Sequence, residues 1–234
     1  MKRLDVLSIQ VRLIAIVALI ALGIGALAVV ASMQMETRIM AERQTATRTV
    51  VETALGVLTY YGDQEAAGEM TQAEAQGAAI AAVNQLRYSG EEYFWINDMH
   101  PTMIMHPFKP ELDGTDLTEN ADPDGKHLFV EFVNVVKAQG AGFVDYQWPK
   151  PGAAAPQPKV SYVAGYEPWG WVIGSGIYVD DVQTVALAEA GKLLLSGLVV
   201  LVVVGGVALL VARTIVRPIR SATDLLASGN LSTR

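Results

Sequence analysis

Between residues 87 and 163 the chain sets out an ammonium, an imidazole, phenols and indoles at spacings that sort them onto strand faces. Side chains alternate across a strand. On that rule Tyr93, Trp95 and Asn97 share a face, and Ile104 and His106 share one opposite Met103 and Met105. Val144, Tyr146 and Trp148 go together, as do Lys159, Ser161 and Val163. An apolar-walled pocket holding one ammonium, two phenols and an imidazole suits a small anion, because each group can donate a hydrogen bond to a carboxylate. Alternation alone does not make these faces converge. Tyr and Trp on strands also serve as core or hairpin packing, and His106 before Pro107 also fits a structural role. An isolated lysine is ordinarily solvated, but Lys159 follows Pro158 at a strand start with Ser161 two residues on. Arg87 is a lesser candidate. An imidazolium at His106 would make anion binding sensitive to pH.

Other chemistries find less support. The chain has no cysteine, which removes disulfides, thiolate metal sites and cysteine nucleophiles. A net charge of −7 argues against nucleic acid as a partner. Asn120-Ala-Asp-Pro-Asp-Gly125 with Glu131 six residues later approaches a calcium loop. No clear helix enters it, however, and Asp122 to Gly125 suffices as a turn capping the next helix. His100, His106 and His127 lack zinc-protease spacing, and Gly174-Ser-Gly176 completes no dinucleotide fingerprint. A hydrolase using His106 with Asp98 or Asp145 would need a nucleophile that no elbow motif supplies. The expectation is a non-enzymatic chain with no cofactor and no metal.

Two apolar runs frame these residues. Leu13–Ala31 (19 residues) and Leu193–Ala212 (20 residues) carry no charge, and each makes a helix of about 30 Å, the thickness of a bilayer core. A cleaved signal peptide is the alternative for the first run, although it exceeds the usual apolar core of about 7–15 residues. Outside 32–192 there are seven Lys/Arg against two Asp/Glu; inside, ten against 22. Lys2, Arg3 and Arg12 precede the first run, and Arg213, Arg217 and Arg220 follow the second. By the positive-inside rule both ends are cytoplasmic and the intervening segment is extracytoplasmic. The resulting division is a cytoplasmic N-terminus over 1–12, transmembrane helices over 13–31 and 193–212, an extracytoplasmic domain over 32–191, and a cytoplasmic tail over 213–234.

Within the domain, Ser32 to about Tyr60 reads as a long helix continuing out of the membrane and broken at Gly62-Asp63. A second helix covers Thr71–Tyr88, opened by a capping box of Thr71 and Glu74 and ended by Ser89-Gly90. Strands follow at Tyr93–Asn97 and Thr102–His106, then an amphipathic helix over Lys126–Gln139 ended by Gly140. Three more strands, Gly142–Trp148, Lys159–Tyr166 and Trp171–Tyr178, complete the set, the first two joined across a proline-rich loop from Pro149 to Pro158. Asp180-Asp181 start a last helix that runs into the second span, two acids at its positive end.

Several blocks together resemble the single Cache domain of bacterial chemoreceptors, of the second single-Cache type. They are Glu92-Tyr-Phe-Trp-Ile-Asn-Asp98, Met105-His-Pro107, Asp122-Pro-Asp-Gly125, Tyr146-Gln-Trp-Pro149, Lys159-Val-Ser-Tyr162, and Trp169-Gly-Trp-Val-Ile-Gly174 through Tyr178-Val-Asp-Asp181. The likeness covers about residues 33–190 in the family's order. It implies an α+β fold, with a long N-terminal helix packed on a PAS-like antiparallel sheet and a ligand pocket over one face. It also implies that small carboxylates, of the acetate, propionate, pyruvate and lactate class, are held by residues matching Tyr93, His106, Tyr146 and Lys159. Trp95, Trp148 and Ser161 are expected beside them. After the second span, Pro218 with Ile215, Ile219, Ala222 and Leu226 resembles the first helix of a HAMP relay, and the chain stops after Gly229-Asn-Leu231. The expectation is therefore a receptor truncated within HAMP, homodimeric in a bacterial cytoplasmic membrane, whose output reaches a chemotaxis kinase and its adaptor. The sensor half of a histidine kinase or cyclase is the alternative in the same class; an anchored hydrolase or an anchored assembly protein are the alternatives outside it.

Overall fold

The computed structural model describes residues 9–211 and 213–214. The HAMP-like stretch therefore lies, from residue 215 on, outside the described residues. Two compact units emerge: Glu36–Thr184, and the apolar parts of the first and last helices, up to Met35 and from Val185.

Helix α1 spans Ile9–Ala66 and helix α4 spans Val179–Val211. Both hold windows long and apolar enough to cross a membrane, with none of either window buried. A soluble core helix would hide such residues, whereas Leu19, Leu22 and Leu209 are 65–72% exposed. A bilayer supplies the missing cover. In this unit Ile24, Leu27 and Ala28 face Leu193, Ser196 and Gly197. Gly197 permits a close approach, since a Cβ there would stand 2.9 Å from the Ile24 Cγ2.

The second unit is a helix-flanked sheet. Helix α1 does not break at Gly62 but runs to Ala66, and Gly68, at φ +75°, turns the chain afterwards. The reason is packing: a Cβ at Gly62 would fall 1.7 Å from the Tyr166 hydroxyl, so the glycine is a seat for that ring. Trp169 also donates its indole N–H to Glu65 at 2.6 Å, fastening the last turn. Helix α2 covers Gln72–Gln85 with the Thr71–Glu74 capping box formed. It ends at Leu86, earlier than Tyr88. Arg87–Tyr88 (β1) and Glu92–Tyr93 (β2) instead make a short hairpin turned by Ser89 (φ 46°) and Gly90 (φ 96°).

Trp95–Asp98 (β3) and Met103–Met105 (β4) follow, then helix α3 over Leu128–Gln139, closed by Gly140 at φ 77°. Ala141–Pro149 (β5), Pro156–Tyr166 (β6) and Trp171–Tyr178 (β7) complete an antiparallel five-stranded sheet of order β4-β3-β7-β6-β5. One face packs on α1 and α2 through Val51, Leu58, Val83, Ile96, Tyr162 and Ile173. The other packs on α3 through Trp95, Phe129, Phe132, Tyr146, Val163 and Val172. Central β7 is buried throughout.

Two expectations about faces need correction. The register shifts between Ile96 and Asn97 where β4 pairs with β3. This bulge sends Met103 to the α3 side and Met105 to the α1 side, so the two do not share a face. Asp122 does not cap α3, whose N-cap is His127 without a side-chain bond. Its carboxylate accepts instead from the backbone N–H groups of Asp124 (3.0 Å), Lys126 (2.9 Å) and Gln147 (3.0 Å), tying the turn to β5. Those bonds outweigh the upward push of burial and hold its pKa below the usual carboxylate value. A carboxylate so committed is an architectural group.

Candidate ligand-binding site

The sheet register does what alternation could not. In β5 and β6 Tyr146 lies opposite Lys159 and Val144 opposite Ser161. In β7 Tyr178 lies opposite Lys159, Gly176 opposite Ser161 and Gly174 opposite Val163, while Trp95 of β3 lies opposite Gly174. The candidate groups therefore stand side by side on the α3-facing side. The two glycines make this possible. A Cβ at Gly174 would lie 2.4 Å from the Trp95 ring, and one at Gly176 would lie 2.0 Å from the Ser161 hydroxyl. Gly174-Ser-Gly176 is a seat for side chains from both neighbouring strands.

A small cavity lies between this face and α3, lined by Tyr93, Trp95, His106, Tyr146 and Trp148 together with Leu128, Phe129 and Phe132. A larger open groove runs past Val136, Lys137, Gly140, Gly165 and Trp171, but it gathers no convergent set of donors.

Lys159 is fully enclosed, 1% exposed. Its Nζ donates to the hydroxyls of Tyr93 (3.2 Å) and Tyr178 (3.5 Å), and stands 4.3 Å and 4.6 Å from the centres of their rings. Burial lowers its pKa to about 8, against the raising influence of Glu92. Burial likewise raises Glu92, against the lowering influence of Lys159. The Tyr146 and Ser161 hydroxyls share a buried hydrogen bond of 2.8 Å. Burial holds the Tyr93 and Tyr146 phenols above their ordinary value, so both stay protonated donors.

His106 is buried at the end of β4, its ring 5.0 Å from Tyr93 and 5.9 Å from Trp148. Its Nδ1 accepts from the backbone N–H groups of Phe108 (3.2 Å) and Lys109 (3.0 Å). That fixes the neutral tautomer with the proton on Nε2. Burial first, then the positive Lys159 and Lys109, push its pKa down to about 3. His106 therefore offers one neutral donor rather than an imidazolium. Neither Asp98 nor Asp145 bonds to the His106 ring among the described residues. Asp98 accepts from His100 and Thr102, and Asp145 is ion-paired with Lys126.

Arg87 does not join the site. It is exposed, donates to the Asn84 and Leu86 carbonyls at 2.7 Å, and lies 5.2 Å over the Phe108 ring. Several contributors escaped sequence reasoning. Leu128, Phe129 and Phe132 lie on the apolar stripe of amphipathic α3, and only the tertiary fold makes that stripe a pocket roof. Phe108 stacks edge-on against Tyr93 at 5.1 Å, and Lys109 sits 4.7 Å over the Trp148 ring. Tyr178 had a usable signal: it shares the parity of Gly174 and Gly176 in its strand.

Residues 39–191 match the family model described as Single Cache domain 2. Over 186 residues the chain is 47% identical to the methyl-accepting chemotaxis protein McpP of Pseudomonas putida, covering 80% of this chain and 34% of that one. It is 35% identical over 120 residues to the sensor histidine kinase MctS of Rhizobium johnstonii, covering 50% and 26%. A solved structure described as "Structural basis for carboxylic acid recognition by a Cache chemosensory domain" is similar with a TM-score of 0.59 at 50% identity, covering 61% of this chain and 97% of that one. The chain thus spans about a third of the length of the curated relatives it matches.

Proposed function

The chain belongs to the Single Cache domain 2 family, and from that membership we propose that it is the membrane-anchored sensor region of a chemoreceptor that binds the carboxylate of a two- or three-carbon organic acid. Acetate, propionate, pyruvate and lactate form the ligand class. The observation that carries this reading is the Lys159 ammonium. It is buried, and its two hydrogen-bond partners are phenol oxygens, neither of which carries charge. A buried charge is costly until it is paired and hydrogen-bonded. The carboxylate of an acid is the counterion this arrangement calls for, with Tyr93, Tyr146 and the His106 Nε2–H as neutral donors and Trp95 and Trp148 as walls. Ser161 holds the Tyr146 hydroxyl in place.

The two apolar helices and the basic flanks of both spans support a two-pass protein of the bacterial cytoplasmic membrane with Glu36–Thr184 on the periplasmic side. Signal leaves through α4 toward a HAMP relay, a chemotaxis kinase and its adaptor. A second reading, the sensor half of a histidine kinase, draws on the similarity to MctS. Coupling to a chemotaxis kinase or to a histidine-kinase module of its own separates the two. Titration calorimetry of the detergent-solubilised chain with the four acids tests the ligand class. Saturable binding of at least one, lost in Lys159→Ala, is expected; no heat from any of them overturns the reading.

A further inference from the structure

Tyr178, the last residue of β7, is enclosed on the site's side of the sheet and donates its hydroxyl proton to the Pro149 carbonyl at 2.8 Å. Its oxygen is left to accept from the Lys159 Nζ at 3.5 Å. Its ring serves two ammonium groups: the Lys159 Nζ lies 4.6 Å from the centroid and the Lys150 Nζ 5.2 Å. Lys150 follows Pro149 in the β5–β6 turn and is ion-paired with Asp180 at 2.8 Å and Asp181 at 2.7 Å. Those two acids open α4. The second oxygen of Asp180 is buried without a hydrogen-bond partner, so this carboxylate leans on Lys150.

We propose that Tyr178 and Lys150 form a joint between the binding site and α4: Tyr178 positions the Lys159 ammonium, and Lys150 passes a change at Lys159 to Asp180 and Asp181. The inference rests on the reading that Lys159 anchors an acid. The hydrogen bonds that hold Lys159 are long, at 3.2 Å and 3.5 Å, whereas a charge-assisted bond to a carboxylate closes to about 2.7–2.9 Å. An arriving acid therefore draws the ammonium away from Tyr178 and neutralises it. Repulsion between the two lysine charges falls, and the negative face of the Tyr178 ring is left to Lys150. The Lys150 pairs with Asp180 and Asp181 tighten, and the first turn of α4 is held more firmly. These contacts differ between the empty and filled states, as any ligand-driven bias requires.

The test uses the full chain in lipid nanodiscs with acetate and propionate as probes. Affinity is read by calorimetry and the first turn of α4 by amide hydrogen exchange over Asp180–Thr184. In the unsubstituted chain a saturating probe slows that exchange. Lys150→Gln, outside the pocket, still binds the probe, with its affinity shifted only by the coupling it removes, and abolishes the slowing. Tyr178→Phe keeps the ring but loses the Pro149 anchor and the long bond from Lys159, and blunts the slowing. Slowing that survives in Lys150→Gln, or that is absent from the unsubstituted chain with probe bound, overturns the joint. Lys159→Ala separates the two failures. If it binds the probe unchanged, the anchor reading falls and the joint with it. If it loses the probe while Lys150→Gln still shows slowing, only the joint falls.

Discussion

Lys159 sets the energetics of the site at the scale of single residues. An acid of two or three carbons has roughly four to six heavy atoms, and the best small ligands reach about −1.5 kcal/mol per heavy atom. The ceiling is near −6 to −9 kcal/mol, a Kd from about 40 μM down to sub-micromolar. A methyl or methylene adds only about 0.8 kcal/mol, so the carboxylate must provide much of the rest. Losing a charge-assisted partner costs about 1.5–3 kcal/mol, and Lys159→Ala is expected to weaken binding roughly 10- to 150-fold by calorimetry. Tyr146→Phe deletes a neutral bond and should cost about 0.5–1.5 kcal/mol. An equal loss from both variants would remove the distinction between anchor and neutral donor.

The same residue determines the pH profile. The Lys159 pKa in the empty site is lowered to about 8 by burial, and a bound carboxylate raises it again. Affinity should be level below pH 8 and then fall by up to about tenfold per pH unit as the free protein loses that proton. His106, pushed down to about 3 by burial and the two lysines, contributes no step between pH 6 and 8. Calorimetry from pH 6 to 9.5 checks this, and a step centred near 6.5 would return the imidazole to the account.

At the scale of elements, β7 succeeds because it is small where its neighbours are large. Gly174 admits the Trp95 ring and Gly176 the Ser161 side chain. In Gly174→Ala the obstacle is the buried Trp95 ring rather than the loose end of a side chain, and overpacking of this kind costs about 1–3 kcal/mol. Urea unfolding should show a lower midpoint, with acid binding impaired as well. Helix α4 begins one residue after β7 and continues to Val211, so the chain from the strand to the second apolar run is one unbroken helix. Four glycines inserted after Ala188 in a whole receptor should abolish signalling while leaving acid affinity intact. Normal signalling from that insertion would exclude a rigid lever.

For the whole molecule, the surface of α1 and the division of charge bear on assembly and topology. Helix α1 buries Val51, Ala54 and Leu58 against the sheet and leaves Tyr60 59% exposed. A long helix leaving the membrane with a free side is suited to pair with its copy, and a HAMP relay needs a dimer to form its bundle. Single cysteines at successive positions over 36–56 should crosslink in membranes with helical periodicity. A flat pattern would count against a parallel homodimer.

Composition and periodicity by themselves determined the two apolar spans, the charge split across them, the Thr71–Glu74 capping box, the Gly140 stop and the succession of α2, α3 and the longer strands along the chain. These are local or summed properties, carried by near neighbours in the chain or by its total charge. The alternation of Tyr146 with Trp148 and of Lys159 with Ser161 was also legible, because the pleat has a period of two wherever the ladder is regular. It misled at Met103 and Met105, where a bulge inserts an extra residue, and at Gly62, where packing against Tyr166 overrides a poor helix propensity. Only the tertiary structure brought Tyr93, His106 and Tyr146 around one cavity with Lys159 bonded to Tyr93 beside it, left Arg87 outside, fixed His106 as a neutral donor and placed Tyr178 against both lysines. Those outcomes depend on register between strands distant in sequence and on burial that sets protonation, and neither quantity is written in any local pattern of residues.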